Sequence, residues 1–339
     1  MTLAVDAANG PALRHHRRRR VGRLVRTRLL IAVPVTVLVS MATFWLASVA
    51  PFNPLVAYLG SRFEHTSLEQ REALTRELGL DDSWIAIWGR WARDVLLHGD
   101  FGQSRSLARP VVEVLADRLP YTLLLAGVAL VVAVLLALVL GVRAAWRPGS
   151  LTDRFATGLA YVMQGVPPFV VALVVIAVFA LGLGMPVGGV SVAGQDPTAA
   201  SVARHLVLPA AVLALSQLPW LLLNVRSSVL GALTEDHVTA ARARGLPDRT
   251  VVWRHALPGA LLPFVTVIGA RLPELVTGAL LVETVFSWPG LASATVDAAV
   301  SGDFPLLAAV TVLTCLAVLL GSLVADAVYL LVDPRVEDV

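Results

Sequence analysis

The sequence predicts an all-α integral membrane protein of about six transmembrane helices. A structured extracytoplasmic insertion separates the first two spans, and a short cytoplasmic helix lies between the fourth and fifth. Three observations carry this reading. Hydrophobic residues make up 57% of the 339-residue chain and charged residues 15%, with a mean hydropathy of +0.75, which is more apolar surface than one soluble core of this size can hide. Six apolar runs, Leu29–Ala50, Tyr121–Val142, Phe155–Leu181, Leu206–Leu230, Leu261–Val282 and Leu306–Val332, suit the ~20 helical residues that a hydrocarbon core of ~30 Å requires. Eight arginines fall between Arg14 and Arg28, directly before the first run, which places the N-terminus in the cytoplasm.

In order, the expected parts are a basic cytoplasmic segment (1–28), the first span (29–50), the insertion (51–118), the membrane core (119–332) and a cytoplasmic tail (333–339). The arginine run leads straight into an apolar span, which favours a membrane anchor over a nucleic-acid arm. Ser48-Val49-Ala50 resembles a cleavage site, but the apolar region is too long for a signal peptide and Pro51 would follow the cut. Loop charge agrees with six crossings: the inward loops hold Arg143 and Arg147, then Arg242, Arg244, Arg249 and Arg254, while the outward loop between the last two spans has no Arg or Lys.

The insertion is too long for a bare loop. Ser67 reads as the N-cap of a helix from Leu68 to Leu78 that stops at Gly79, and Trp84, Ile85, Ile87, Trp88, Trp91, Val95 and Leu96 outline a second, amphipathic helix. Its tryptophans suit either packing on the ends of the spans or the membrane surface. Gly99-Asp100-Phe101-Gly102-Gln103-Ser104 follows as a glycine-bracketed turn.

Several chemistries are disfavoured. All 27 Lys-or-Arg positions are arginine, so there is no lysine for a GxxxxGK[ST] phosphate loop. Cys315 is the only cysteine, which removes disulfide and cysteine-zinc frameworks. The seven histidines, His15, His16, His65, His98, His205, His237 and His255, show no close ligand spacing, so no metal site is expected. No nucleophile–base pattern stands out, and no catalytic residue is assigned.

The cytoplasmic loop 231–258 is more informative. Thr234 is a candidate N-cap, Glu235 and Asp236 complement a helix N-terminus, and Ala240, Ala241 and Ala243 favour a slim helix that Gly245 ends in the left-handed conformation. Pro247 and Asp248 open a second turn, and Pro258 marks entry to the next span. A small-residue flank of this kind lets two backbones approach closely, as a docking helix requires, and a solvated cytoplasmic hairpin fits the same residues equally well.

This segment resembles the EAA loop of ABC importer permeases, EAA-x3-G-x9-I-x-L-P. Ala240, Ala241, Gly245, Leu257 and Pro258 match, while Thr239 stands for the usual Glu and His255 for the usual Ile. Asp100-Phe101-Gly102-Gln103-Ser104, Val282 through Leu291 and Asp333-Pro334-Arg335 extend the resemblance to the peptide/nickel branch, specifically the first of its two homologous permeases.

The resemblance implies a coupling role for Asp236, Thr239, Ala240, Ala241, Arg242, Gly245, His255, Leu257 and Pro258. It also implies a gate region around Glu283, Phe286, Trp288 and Pro289, for which an aromatic membrane anchor is the plain alternative. Asp100, Phe101 and Gln103 are candidates for docking an extracytoplasmic binding protein. The implied setting is a bacterial cell membrane with both termini cytoplasmic. The implied partners are a second permease, two ATPase subunits or one fused ATPase, a substrate-binding protein and membrane lipid, with ATP and Mg on the ATPases, no cofactor on this chain and no nucleic acid. Oligopeptides or dipeptides are the expected cargo; nickel or another small solute, or an ion-coupled transporter, are the alternatives.

In the fifth span Arg271 and Glu274 lie three apart on one helix face, with Pro273 between them. Twelve Leu, Ile, Val or Phe residues from Leu261 to Val282 contribute roughly −4 to −7 kcal/mol to insertion, whereas two central charges cost about 2.5 to 3.5 kcal/mol each. The pair therefore belongs against protein or a wet cavity, as an internal brace or a substrate contact. Gln217, Asn224 and Arg226 in the fourth span are open to the same two readings, internal brace or pathway contact, and Arg226 also to snorkelling to the cytoplasmic surface.

Overall fold

A computed structural model describes residues 11–50, 54–77, 81–192 and 194–332. Leu78, Gly79 and the Asp333-Pro334-Arg335 motif lie outside the described residues, as do segment 1–10 and tail 333–339. The chain is helical almost throughout: α1 Pro11–Val49, α2 Pro54–Leu59, α3 Leu68–Glu77, α4 Trp84–His98, α5 Val111–Trp146, α6 Leu151–Gly165, α7 Pro168–Val175, α8 Ala199–Ala232, α9 Asp236–Ala243, α10 Asp248–Thr250, α11 Leu257–Ala260, α12 Leu262–Val285, α13 Leu291–Ser301 and α14 Phe304–Val332. Wide π turns continue α7 over Ile176–Leu181 and join α10 to α11 over Val251–Ala256. Two-residue strands β1 Gln103–Ser104 and β2 Arg109–Pro110 pair antiparallel.

Among the described residues, four helices are long and apolar enough to cross a bilayer, Val25–Val49, Val111–Trp146, Ala199–Ala232 and Phe304–Val324; counting each of two bent pairs as one span brings the number up to six. One correction concerns the third span, expected as a continuous run from Phe155 to Leu181. It is broken between α6 and α7 by a bend of 109°. Pro167 and Pro168 cause it: each lacks an N–H, and Val166 before them is extended at φ −103°, ψ 120°.

Contacts at its two ends show that the broken pair still traverses the bundle. Asp153 at the start of α6 holds Arg226 near the end of α8, through Nε at 2.6 Å and Nη2 at 3.0 Å. After α7 the chain reaches the opposite end, where Gly189 N–H donates to Phe286 O at 3.2 Å beyond α12. One end of the bundle thus carries Arg226, the α9–α11 hairpin and an ion pair between Arg28 of α1 and Asp326 of α14. The insertion occupies the other end: Trp88 Nε1 donates to Ser40 Oγ at 3.0 Å, and Trp91 meets the Phe44 ring at 5.3 Å.

α8 is the central helix. Two-thirds of its apolar window, 67%, is buried, against 22% for α5. α5 packs on it through a stripe at four-residue spacing, Leu125, Ala129, Ala133, Ala137 and Gly141, whose small side chains allow a close approach. A Cβ at Gly141 would stand 2.9 Å from Val225 Cβ and Cγ1, so only glycine fits.

Three further boundaries differ from the sequence reading. α5 starts at Val111 rather than near Tyr121, taking residues assigned to the insertion. α1 runs unbroken from the arginine segment into the membrane, because nothing helix-breaking separates them and Pro34 is its only internal proline. The short helix α13, whose Leu291, Ala294 and Ala298 are buried, fills the loop between the last two spans.

Gly141→Leu is expected to lower the thermal unfolding midpoint of the detergent-purified protein, by overpacking worth about 1–3 kcal/mol. Gly127→Ala, at an α5 position where a Cβ meets nothing within 4 Å, should not lower it and gains up to about 1 kcal/mol of helix propensity.

Candidate functional site

The α9–α11 hairpin folds on itself. Glu235 rather than Thr234 is the N-cap of α9; Thr234 Oγ1 instead donates back to Gly231 O at 2.7 Å, closing α8. At the far end Gly245 takes φ +75°, and its N–H donates to Arg242 O at 2.9 Å, the left-handed stop expected from the sequence.

The two alanines of the motif have opposite fates. Ala241, with Val238, is buried against the Val251–Ala256 turn, whereas Ala240 faces outward with Asp236, Thr239 and Arg242. Polar contacts brace the hairpin: a His237 ring nitrogen, Nε2, lies 3.0 Å from His255 O, and Arg242 approaches Asp248 at 4.0 Å. Leu257 is buried and Pro258 exposed within α11, the turn that feeds α12.

At the insertion end, two buried carboxylates cap helices. Glu283, fully buried, accepts from Thr122 Oγ1 at 2.7 Å and from the N–H groups of Ala292 (2.8 Å) and Ser293 (3.3 Å), the free donors at the N-terminus of α13. Thr122 Oγ1 also accepts from Leu291 N–H at 2.8 Å. A Cβ at Gly290 would sit 2.2 Å from the Glu283 carboxyl, so glycine is required there.

Phe286 and Trp288 close this knot from inside the protein. The Trp288 indole donates to Tyr121 O at 3.0 Å and meets the Tyr121 ring edge-on at 5.9 Å. Fully buried, Trp288 is not an aromatic anchor at a membrane surface; partly buried Pro289 turns the chain into α13.

Asp303 caps α14 through Leu306 N–H at 3.3 Å and accepts from Ser104 Oγ (2.6 Å), Ser106 N–H (3.0 Å) and Ser106 Oγ (2.8 Å). The Asp100–Ser104 turn is thereby tied to the last crossing. Phe101 is half-buried in the cluster of Val111, Leu291 and Leu306, while Asp100 and Gln103 remain exposed. Sequence reasoning missed Asp303, Ser104, Thr122 and Asp153. The only local signals were capping patterns, Ser150 three before Asp153 and Asp303 opening the last apolar run. Of the readings open to Arg226, the contact with Asp153 fits the internal brace.

The middle of the bundle is polar and less satisfied. Among the described residues, Gln217 Oε1 and Asn224 Oδ1 on α8 are buried without a hydrogen-bond partner. Arg271 pairs with Glu274 and stacks over the Trp220 ring, 4.4 Å from its centroid. The Arg271 side chain is 16% exposed and Glu274 56%, so the pair lies along the α8–α12 seam with its acidic member facing out. Beside Trp220, the α6–α7 break opens a cleft of about 410 Å³.

Thr122→Val removes a donor to a buried carboxylate and is expected to destabilise the protein by about 1–3 kcal/mol. Thr122→Ser should retain the midpoint of thermal unfolding, since its hydroxyl reaches both partners.

The architecture has counterparts among known proteins. The family model described as "Binding-protein-dependent transport system inner membrane component" matches residues 137–338. The oligopeptide transport system permease protein AppB of Bacillus subtilis (strain 168) is 34% identical over 312 residues, 91% of this chain and 98% of that one. The dipeptide transport system permease protein DppB of Escherichia coli (strain K12) is 32% identical over 336 residues, covering 91% and 97%. Among solved structures, an inward-facing conformation of the MetNI methionine ABC transporter aligns with TM-score 0.54 and 19% identity over 65% of this chain and 96% of that one, a likeness of fold. The family match spans the broken crossing, the braced hairpin and α12 to α14. The chain belongs to the family of binding-protein-dependent transport system inner-membrane components.

Proposed function

We propose that the chain forms half of the membrane pathway of an ATP-driven importer of oligopeptides or dipeptides, with the exposed face of α9 seated on an ATPase subunit. The observation that carries this reading is the braced hairpin. Asp236, Thr239 and Ala240 face outward on a helix whose other side is locked onto the chain's own core. The names of the AppB and DppB relatives support the peptide cargo.

In this reading the arginine-rich end of α1 and the hairpin lie in the cytoplasm, together with the C-terminus, and the insertion faces the binding protein on the other side. A second homologous permease completes the pathway. Hydrolysis of ATP, with Mg, belongs to the ATPase subunits, two separate or one fused, and this chain holds no cofactor of its own. Surrounding lipid covers the outward apolar faces, and nucleic acid has no part.

The hairpin joins the ends of α8 and α12, so a push on α9 displaces both helices together. Nucleotide binding then shifts the bundle between arrangements only by as much as the ATPase contact differs between them. Thr239, where the family has Glu, offers a hydroxyl instead of a carboxylate, so the contact relies on shape and hydrogen bonding rather than an ion pair.

Gly245 supplies a test. A Cβ there meets nothing within 4 Å, so the constraint is the left-handed backbone and not space. Gly245→Val costs about 1–2 kcal/mol in that conformation and should lower peptide uptake per ATP hydrolysed by about fivefold or more in proteoliposomes holding the whole importer. Gly245→Asn, which tolerates the conformation, should restore it. Uptake by the valine variant equal to wild type counts against the coupling assignment.

A further inference from the structure

Three prolines strip N–H donors from the walls of one open cleft between the α6–α7 break and α8. Because Pro167 and Pro168 carry no N–H, the carbonyls of Met163 and Gln164 in the last turn of α6 lack their i+4 donors. Pro219 does the same to the carbonyl of Leu215 on α8. All three residues line the cleft of about 410 Å³ at the α6–α7 break, and so does Ser216, whose hydroxyl donates to Leu213 O at 2.7 Å and accepts from Gln217 Nε2 at 3.3 Å. That volume falls within the ~300–1,000 Å³ of small-ligand sites.

The depth is informative as well. Leu215 to Trp220 lie midway along Ala199–Ala232, and Arg271 lies midway along Leu262–Val285. Carbonyls deprived of their i+4 donor at this depth are costly in lipid and are tolerated where they line a cavity. Broken helices whose carbonyl ends face a midplane cavity are suited to groups that bring N–H donors and positive charge.

Trp220 forms one wall, and the Arg271 guanidinium lies over its ring. Arg271 disfavours a bare cation beside the cleft. A zwitterion, which brings its own carboxylate, meets both features. The partner that would have to yield, Glu274, is 56% exposed and can turn outward, leaving the planar fork of Arg271 to a carboxylate.

We propose that this cleft is a membrane-embedded subsite for a short peptide with free termini, holding the α-ammonium among the carbonyls of Met163, Gln164 and Leu215 and directing the carboxylate to Arg271. The assignment rests on the importer reading above and adds the chemical requirement: both termini charged.

The test uses the complete importer in nanodiscs, without binding protein, and equilibrium dialysis of radiolabelled trialanine, N-acetyltrialanine and trialanine amide. In the wild type, acetylation and amidation should each weaken binding by about tenfold. The double substitution Arg271→Gln with Glu274→Gln, which leaves no unpaired charge, should bind trialanine and its amide alike while still discriminating against the acetylated peptide. Equal binding of the three probes by the wild type, or unchanged discrimination against the amide in the double variant, overturns the subsite. ATP-dependent uptake of trialanine with binding protein present separates the two levels. Uptake without end-group discrimination retains the importer and removes the subsite; no uptake removes the importer reading and the subsite with it.

Discussion

The burial of Val238 and Ala241 against the Val251–Ala256 turn is the contact on which the functional account depends. Burying a valine side chain is worth about 1.5–3 kcal/mol, enough to keep α9 from swinging freely on its two links. Without that contact the loop between α8 and α12 would absorb any push as local bending. With it, the outward face of α9 moves only as α8 and α12 move.

Rigidity is distributed unevenly along the bundle. The insertion end is locked by Glu283 and Asp303, each capping one helix while gripping another segment, so α12, α13 and α14 meet in a fixed corner. At the hairpin end the two-armed Asp153–Arg226 contact fixes the start of the broken crossing to α8. Between these ends lie the α6–α7 break, two buried amide oxygens without partners and an ion pair half open to its surroundings.

How much of this was legible in the sequence depends on the range of each interaction. Hydropathy is a bulk property of some twenty consecutive residues, so the four long spans and the two bent apolar pairs could be located directly, and Gly245 could be placed because one backbone conformation demands it. The break at Pro167-Pro168 is also written locally, yet apolar residues continue on both sides and a window average passes over it. Which face of α9 is buried was not legible, because Ala240 and Ala241 are chemically identical and only tertiary packing separates them. Asp153 and Arg226, or Ser104 and Asp303, meet across distances in sequence that no local pattern encodes. Trp288 was open to two readings for the same reason: an aromatic at a span end suits an interface, and only the Tyr121 carbonyl, distant in sequence, shows that it is internal.

The account's central claim is that an exposed face of α9, and not its buried face, touches the ATPase. Disulfide trapping in the assembled importer tests this directly, with Cys315 replaced and a single cysteine placed at position 240 or 241 against a cysteine in the ATPase groove. The account predicts a cross-link from Ala240→Cys and none from Ala241→Cys. Equal cross-linking from both positions, or labelling of position 240 by an impermeant thiol reagent applied from outside the cell, would contradict it.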